Sequence, residues 1–247
     1  MSFTEWSFLL EKRAVRRLVM LEVNRKELKY LLGLDEVYTI KTRLEKITEE
    51  DPHNGTEGYT VRSLYFDTPS DKDYQEKIDG TDNRVKIRMR IYDGDTSNVK
   101  LELKAKDGDF QRKRSIALSG AEANRMIESD YTFLMERKES FARGMYTMLV
   151  TRGYAPKCIV EYDRIAFVEK FNDIRITFDM RLRALEDPTE FMKEMIDAYP
   201  VEDPSEVTME VKYSGFLFTY IKRALGSVDK MRISNSKYVR ARAFVKQ

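Results

Sequence analysis

The sequence predicts an α+β fold whose antiparallel sheet closes, or nearly closes, into a barrel with its charged residues inside. Three observations predict it. The stretch Arg84-Val-Lys-Ile-Arg-Met-Arg-Ile-Tyr92 alternates without a break, with Arg84, Lys86, Arg88 and Arg90 on one parity and Val85, Ile87, Met89 and Ile91 on the other. The same alternation recurs along the chain, mostly between turn-forming residues. A helical stretch over residues 120–152 interrupts the strands and is rich in apolar side chains that can cover one face of a sheet. Period two is the mark of a β-strand, whose successive side chains point to opposite faces, so the cations line one face at about 7 Å spacing.

The plain reading of such alternation is a strand with its polar face in water. Two features weigh against it here. Like charges in a row repel, and a solvated face normally mixes Thr, Ser, Lys and Glu, whereas this row is all cation. It is also mostly Arg, the side chain suited to holding phosphate oxygens with two hydrogen bonds at once.

Composition bounds the reading. The hydrophobic share of 42% and aromatic share of 11% suffice for a core and exclude wholesale disorder. Lys and Arg number 44 against 42 Asp and Glu, a net charge of +2, so no basic excess suggests a nucleic-acid coat and the placement of charge matters more than its sum. Cys158 is the one cysteine, which excludes an internal disulfide and fits a reducing cytosol. With His53 the one histidine, a zinc site is not expected. No apolar run approaches the length of a membrane span, and the start of the chain, Trp6 to Leu10 followed by Glu11-Lys12-Arg13, does not read as a signal peptide.

Taken in order, residues 1–20 carry Arg13, Arg16 and Arg17 and read as an amphipathic lead-in. Residues 21–32 become strand-like toward Gly33. Val37, Ile40, Leu44 and Ile47 recur at helical spacing behind Asp35 as a cap, which predicts a helix over about 35–50. Residues 51–58 form a loop, and 59–67 a strand ended by the Thr-Pro-Ser-Asp turn. Residues 73–78 read as a short helix. The basic strand 84–92 turns at Asp93-Gly94-Asp95 into the strand 99–106, and Asp107-Gly108-Asp109 turns it again into 110–118. Residues 120–152 are helical, with Phe133, Leu134, Phe141, Met145, Met148 and Leu149 as packing positions. Strands follow at 157–168, 175–183 and 207–213. Residues 188–199 and 216–225 read as helices, and the basic segment 230–240 as strand or helix. No linker splits the chain, so one domain over 1–247 with a lead-in over 1–16 is expected.

The polar parities share a character. They are Lys86, Arg88 and Arg90; Glu102, Lys104 and Lys106; Tyr162 and Arg164; Arg175, Thr177 and Asp179; Glu210 and Lys212. An eight-stranded barrel has a narrow interior, and like charges are not buried without partners. A basic interior therefore requires a polyanion. Phosphate chains fit, because Arg forks and Lys ammoniums match their oxygens and a divalent metal held by one or two carboxylates completes the cage. No Gly-rich phosphate loop and no His-paired Ser or Cys nucleophile is present.

Glu27-Leu-Lys-Tyr30, Ser63-Leu-Tyr-Phe-Asp67, Arg84 to Tyr92, Leu101-Glu-Leu-Lys104, Glu161-Tyr-Asp-Arg164, Arg175-Ile-Thr-Phe-Asp179, Met209-Glu-Val-Lys-Tyr213 and Ser236-Lys-Tyr238 occur in that order. Together they resemble the polyphosphate polymerase domain of the vacuolar transporter chaperone family, within the triphosphate tunnel metalloenzymes. The resemblance runs from about Arg17 to the end. It implies a closed eight-stranded antiparallel tunnel with helices packed outside. It also implies that ATP binds inside by its triphosphate and passes the γ-phosphate to a growing polyphosphate chain, with Mn²⁺ or Mg²⁺. Carried over motif by motif, it implies Arg88, Arg90, Lys104, Arg164 and Arg175 as the catalytic cations. Lys29, Lys86, Lys113, Tyr162, Ser236 and Lys237 would bind substrate, and Glu210 would hold the metal. Glu161 and Asp179 are expected as salt-bridge partners of the tunnel cations.

Two positions depart from the pattern. Hydrolytic members of the superfamily open with Glu-x-Glu-x-Lys, and here that stretch is Arg25-Lys-Glu27-Leu-Lys29, as in the polymerase branch. The polymerase pattern has a Lys three residues before Lys237, where this chain has Ser234, leaving Lys230 or Arg232 to serve instead. Beside the polymerase stand a triphosphatase or cyclase-like member using Glu27, Glu102 and Glu210, and a non-catalytic polyphosphate-binding module. The expected setting is cytoplasmic, against the inner face of a membrane through a separate membrane protein, with no nucleic-acid partner.

Overall fold

The hairpin between Arg84–Tyr92 (β4) and Val99–Asp107 (β5) frames the molecule. Asp93 and Gly94 follow β4 at φ 50° and 69°, a left-handed pair that reverses the chain. The ladder then sets Lys86 opposite Lys104, Arg88 opposite Glu102 and Arg90 opposite Lys100. The computed structural model describes residues 25–108, 110–226, 231–234 and 236–246, with backbone alone at 25, 110 and 111. The lead-in and Lys230 lie outside the described residues.

In chain order come β1 (Arg25–Leu32), α1 (Leu34–Leu44), β2 (Glu49–Glu50), β3 (Tyr59–Asp67), α2 (Lys72–Ile78), β4, β5, β6 (Phe110–Leu118), α3 (Gly120–Ile127), α4 (Phe133–Glu136) and α5 (Ser140–Thr151). Then follow β7 (Ala155–Glu169), a 3-10 turn at Phe171–Asp173, β8 (Ile174–Leu185), a second at Pro188–Met192, β9 (Tyr199–Pro200), β10 (Val207–Ser214), α6 (Thr219–Leu225) and α7 (Lys237–Val245). All ladders are antiparallel, in the order β1-β10-β8-β7-β3-β4-β5-β6, with β2 on β7 and β9 on β8.

The apolar parity faces outward, under helices. Leu64, Phe66, Ile87, Met89, Ile91 and Leu101 pack against Met126, Phe133, Leu134, Phe141, Met145 and Leu149 of α3 to α5. On the other half, Ile176, Phe178, Met209 and Val211 pack against Val37, Ile40 and Leu44 of α1 and Ile221 of α6. Two sets of amphipathic helices thus bury one face of the sheet and leave the charged face concave. Two backbone features keep the parity in register. Arg181, at φ 53°, is an extra residue in β8 where the β7 ladder shifts between Glu161 and Asp163, so Asp179 and Leu182 both turn inward. Gly58, at φ 95°, brings the start of β3 against β7, where a Cβ would lie 2.3 Å from the Arg164 carbonyl oxygen.

Four expectations need correction. Among the described residues no ladder joins β1 to β6, so the sheet is a curled path with two ends rather than a closed barrel. Both end strands carry cations, Lys26 and Lys29 on one and Arg112, Lys113 and Arg114 on the other, and rows of like charge oppose edge pairing. The helices are not all outside. Tyr238 and Ala241 of α7 pack with Tyr65, Val160 and Tyr162 of the concave face, and the Tyr238 and Tyr65 rings stack at 4.8 Å. Residues 188–199 do not form an α-helix. After the 3-10 turn, the Arg62 guanidinium takes the carbonyls of Phe191, Lys193 and Glu194, which removes acceptors that a continuing helix would use. The helix expected over 35–50 likewise stops at Leu44, and Glu49 and Glu50 pair with Val168 and Phe167 as strand.

Candidate functional site

One wall of the concave face is built by β3 to β6. Arg88 donates from Nε to Glu102 at 2.7 Å and from Nη1 to the Tyr65 hydroxyl at 3.0 Å. Glu102 also pairs with Lys113 of β6. Arg90 donates to Ser63 Oγ at 3.0 Å and reaches the Tyr162 hydroxyl at 3.5 Å. Lys86 donates to the Ser236 hydroxyl at 2.6 Å, across the concavity at the start of α7. Among the described residues, Lys86, Arg90 and Lys104 have no carboxylate at ion-pair distance.

The opposite wall comes from β7, β8, β10, β1 and the first residue of α7. Arg164 grips Asp179 with two bonds, at 2.6 and 2.8 Å, and Lys237 reaches the same carboxylate at 2.6 Å. Glu210 is ringed by Lys212 at 2.8 Å, Lys29 at 3.0 Å and Lys237 at 3.9 Å. Glu27 shares Lys29, at 3.2 Å, and Lys212, at 3.9 Å. Two cations lie over the Tyr162 ring, Arg164 at 5.2 Å and Lys237 at 4.7 Å from its centre. Arg175 stands apart at the rim, where Asp51 at 2.5 Å and the Tyr59 hydroxyl at 2.9 Å hold it.

The charges act on one another across the space. Burial, then the charges of Lys29 and Lys77, push the Lys86 ammonium down to about 7. The Arg88 charge first, then burial, then Lys212 and Arg90, hold Lys104 down to about 6. The Lys104 side chain reaches water, so we assign its shift to like-charge crowding rather than to burial. Burial pushes the Glu102 carboxyl up, but Arg88, Arg90 and Lys113 outweigh it and hold it at about 2. Glu210 is held well below the carboxylate range in the same way, by Lys29, Lys212 and Lys237 against burial. The carboxylates pair with their neighbours and leave Lys86, Arg90 and Lys104 crowded by like charge.

Among the described residues no three carboxylate, His or Cys side chains gather as a metal cage. Glu27 and Glu210, which share Lys29 and Lys212, are the carboxylates best placed for a cation. This donor set fits a divalent ion that arrives with phosphate oxygens as its remaining ligands, and does not fit a resident all-protein metal centre.

The structure brings Lys29, Lys86, Arg88, Arg90, Lys104, Lys113, Tyr162, Arg164, Glu210, Ser236 and Lys237 to the concave face, with Arg175 at its rim. Asp179 pairs with cations there, as expected. Glu161 does not. It faces outward and pairs with Arg62 at 2.6 Å and Arg183 at 3.1 Å. Arg232 is exposed and joins Tyr30 through the backbone. The place of the missing lysine is met differently, for Lys77 of α2 donates to Ser234 Oγ at 2.9 Å. Sequence reasoning missed Lys77, Ser63, Tyr65 and Asp51. The inward parity of β3 is Tyr59, Val61, Ser63 and Tyr65, too mixed to read as a polar stripe, and Lys77 and Asp51 lie on other elements.

A family model described as the VTC domain matches residues 24–246. No curated protein matches the chain in sequence. Among solved structures, a Hippeastrum protein named as a candidate adenylyl cyclase and described as having a dominant triphosphatase activity is 10% identical. It aligns over 89% of this chain and 96% of its own, with a TM-score of 0.51, a likeness of fold. A Bacillus halodurans protein, also named as a candidate adenylate cyclase, aligns at 13% identity over 86% of this chain and 96% of its own, TM-score 0.48. A Pyrococcus horikoshii OT3 protein aligns at 13% identity over 90% and 99%, TM-score 0.45.

Proposed function

The chain belongs to the VTC domain family, and from that premise we propose that its concave face binds the triphosphate of ATP and passes the γ-phosphoryl group to the end of a growing polyphosphate chain. One observation carries the reading: Lys86, Arg90 and Lys104 face a shared space with no carboxylate partner among the described residues, and the ammoniums of Lys86 and Lys104 have lost proton affinity for it. A guest bearing many negative charges relieves that crowding, and a neutral or cationic guest does not.

In the proposed transfer, a terminal oxygen of the polyphosphate forms a bond to the γ-phosphorus. The bond from that phosphorus to the β–γ bridging oxygen breaks, and ADP leaves with the electron pair. The protein supplies positioning and charge rather than a covalent nucleophile. Arg88, Arg90 and Lys104 on one wall, with Arg164 and Lys237 on the other, would hold the equatorial oxygens between them. Lys29, Lys86 and Lys113 would hold the flanking phosphates, Tyr162 and Ser236 would add hydroxyl contacts, and Arg175 would guide phosphates at the rim. Glu210, beside Glu27, would hold a divalent ion, Mn²⁺ or Mg²⁺, which would supply positive charge against the leaving group.

A second reading is triphosphate hydrolysis, favoured by the Glu27 and Glu210 carboxylates meeting over Lys29 and by the fold shared with the Hippeastrum protein. A third is a module that only binds polyphosphate, for a separate membrane protein. No helix among the described residues is long and apolar enough to cross a membrane. The test is purified protein with ATP and Mn²⁺ or Mg²⁺, the products sized on a polyacrylamide gel. We expect a ladder of chains with release of ADP. Phosphate without chains would move the assignment to hydrolysis. Retained triphosphate binding without turnover would leave the binding module.

A further inference from the structure

A cavity of about 530 Å³ opens where α2, the end of β1 and the start of α7 meet. Its walls are apolar in one part and polar in another. Ile78 and Met231 stand at its rim with 51% and 65% of their surface in water. Leu31, Ile233 and Val239 continue the apolar lining. Among the polar lining residues, Lys77 donates to the exposed Ser234 at 2.9 Å, Ser236 accepts from Lys86 at 2.6 Å, and Arg240 pairs with Glu206 at 3.3 Å. Lys86 belongs to the basic concave face, so the cavity adjoins that face at Ser236. Lys77 feels the same field: burial, then the charges of Arg84, Lys29 and Lys106, lower its proton affinity.

A bare phosphate chain has no use for the outer part of this cavity, since its charged oxygens gain nothing from Ile78, Met231 or Val239 and lose water there. A ligand that is apolar and flat at one end and polyanionic at the other fits both parts of the lining. The volume is that of an ordinary small-molecule site, apolar with a few convergent polar groups. Methionine and isoleucine at a rim can close over a ring system without a fixed shape. We propose that this cavity takes the nucleoside of a nucleoside triphosphate, with its phosphates passing Lys77 and Ser236 to Lys86 and the concave face beyond. This inference rests on the reading that a triphosphate binds that face. It adds which end of the curled sheet the nucleotide enters and which residues hold its uncharged part.

The test compares ATP with inorganic tripolyphosphate by isothermal titration, on the wild type and on the double variant Ile78→Ser, Met231→Ser. Both side chains are exposed, so the fold should tolerate the change. The expected result is an ATP affinity about tenfold weaker in the variant, because serine offers the base little apolar surface to cover. Tripolyphosphate affinity should stay within about twofold, since it is held elsewhere. Equal weakening of both ligands, or no change in either, overturns the nucleoside site while leaving the triphosphate reading intact. Loss of ATP affinity on Tyr92→Ala instead, at the end of β4 beside Tyr59, also overturns it by placing the nucleoside there. A wild type that binds neither ligand removes the triphosphate reading and this inference together.

Discussion

Lys237, the first residue of α7, lies 2.6 Å from the Asp179 carboxylate in the middle of β8, and Arg164 takes both oxygens of the same carboxylate. One buried anion thus holds two cations and ties the C-terminal helix to the concave face. Removing one partner of such a set leaves the others buried and unpaired, which costs about 3–5 kcal/mol. Asp179→Asn should therefore lower the midpoint of urea unfolding clearly. A polyanion can replace the lost carboxylate, so tripolyphosphate should restore more stability to the variant than to the wild type. Unfolding curves with and without tripolyphosphate check this, and equal restoration in both proteins would contradict it.

Arg88 and Arg90 sit two residues apart on one strand but differ in what they already hold. Arg88 is committed to Glu102 and Tyr65, whereas among the described residues Arg90 holds only the hydroxyls of Ser63 and Tyr162. Arg90→Ala should lose at least tenfold in tripolyphosphate affinity with little loss of stability, because relief of like-charge crowding offsets the lost hydrogen bonds. Arg88→Ala should lose affinity and stability together, since Glu102 keeps only Lys113. Calorimetric titration beside thermal unfolding separates the two. Near-neutral effects of Arg90→Ala on both would mean that this face merely meets water.

How much of this was legible beforehand follows from the same residues. The parity of 84–92 and 99–106 located both strands and their inward cations, because alternation is a local property of the sequence. The two ends of the sheet were not legible, since pairing between β1 and β6 is a long-range matter that no window reports. Nor was the inward position of α7. Its burial depends on Tyr238 meeting Tyr65 and on the Tyr238 hydroxyl donating to Asp67 at 2.6 Å, contacts about 170 residues apart in the chain. Lys77 was invisible for a similar reason, as a lysine late in a short helix reads as a solvated charge until Ser234 is brought to it.

Lys86 and Lys104 give the site a dependence on pH with opposite signs for folding and for binding. Their ammoniums fall from an ordinary 10.5 to about 7 and about 6 in the folded chain. Between those values and 10.5 the unfolded chain holds more protons, so the stability of the ligand-free protein contributed by these groups rises with pH. A bound polyanion favours the charged forms, so the complex takes up protons above about pH 7 and affinity falls as pH rises. Titration of tripolyphosphate at pH 8 in buffers of different ionisation enthalpy should show net proton uptake. Lys86→Met with Lys104→Met should abolish it. Heats that do not depend on the buffer would show that both lysines are charged in the free protein.

Glu210 separates metal from phosphate. Its carboxylate neutralises Lys29, Lys212 and Lys237 in the free chain, so it is held strongly ionised and opposes a polyanion brought without a cation. Glu210→Gln removes that negative charge while keeping most of the shape. In the absence of divalent ions the variant should bind tripolyphosphate as well as the wild type or better, since Lys29, Lys212 and Lys237 each lose one of the two carboxylates they share. With Mn²⁺ present the wild type should gain affinity and the variant should gain much less, because the ion would lose the carboxylate proposed to hold it. Titration with and without Mn²⁺, with the electron paramagnetic resonance of the bound ion as a second readout, gives the comparison. An equal Mn²⁺ effect in both proteins would move the ion off Glu210, to be held by phosphate oxygens or by Glu27 alone.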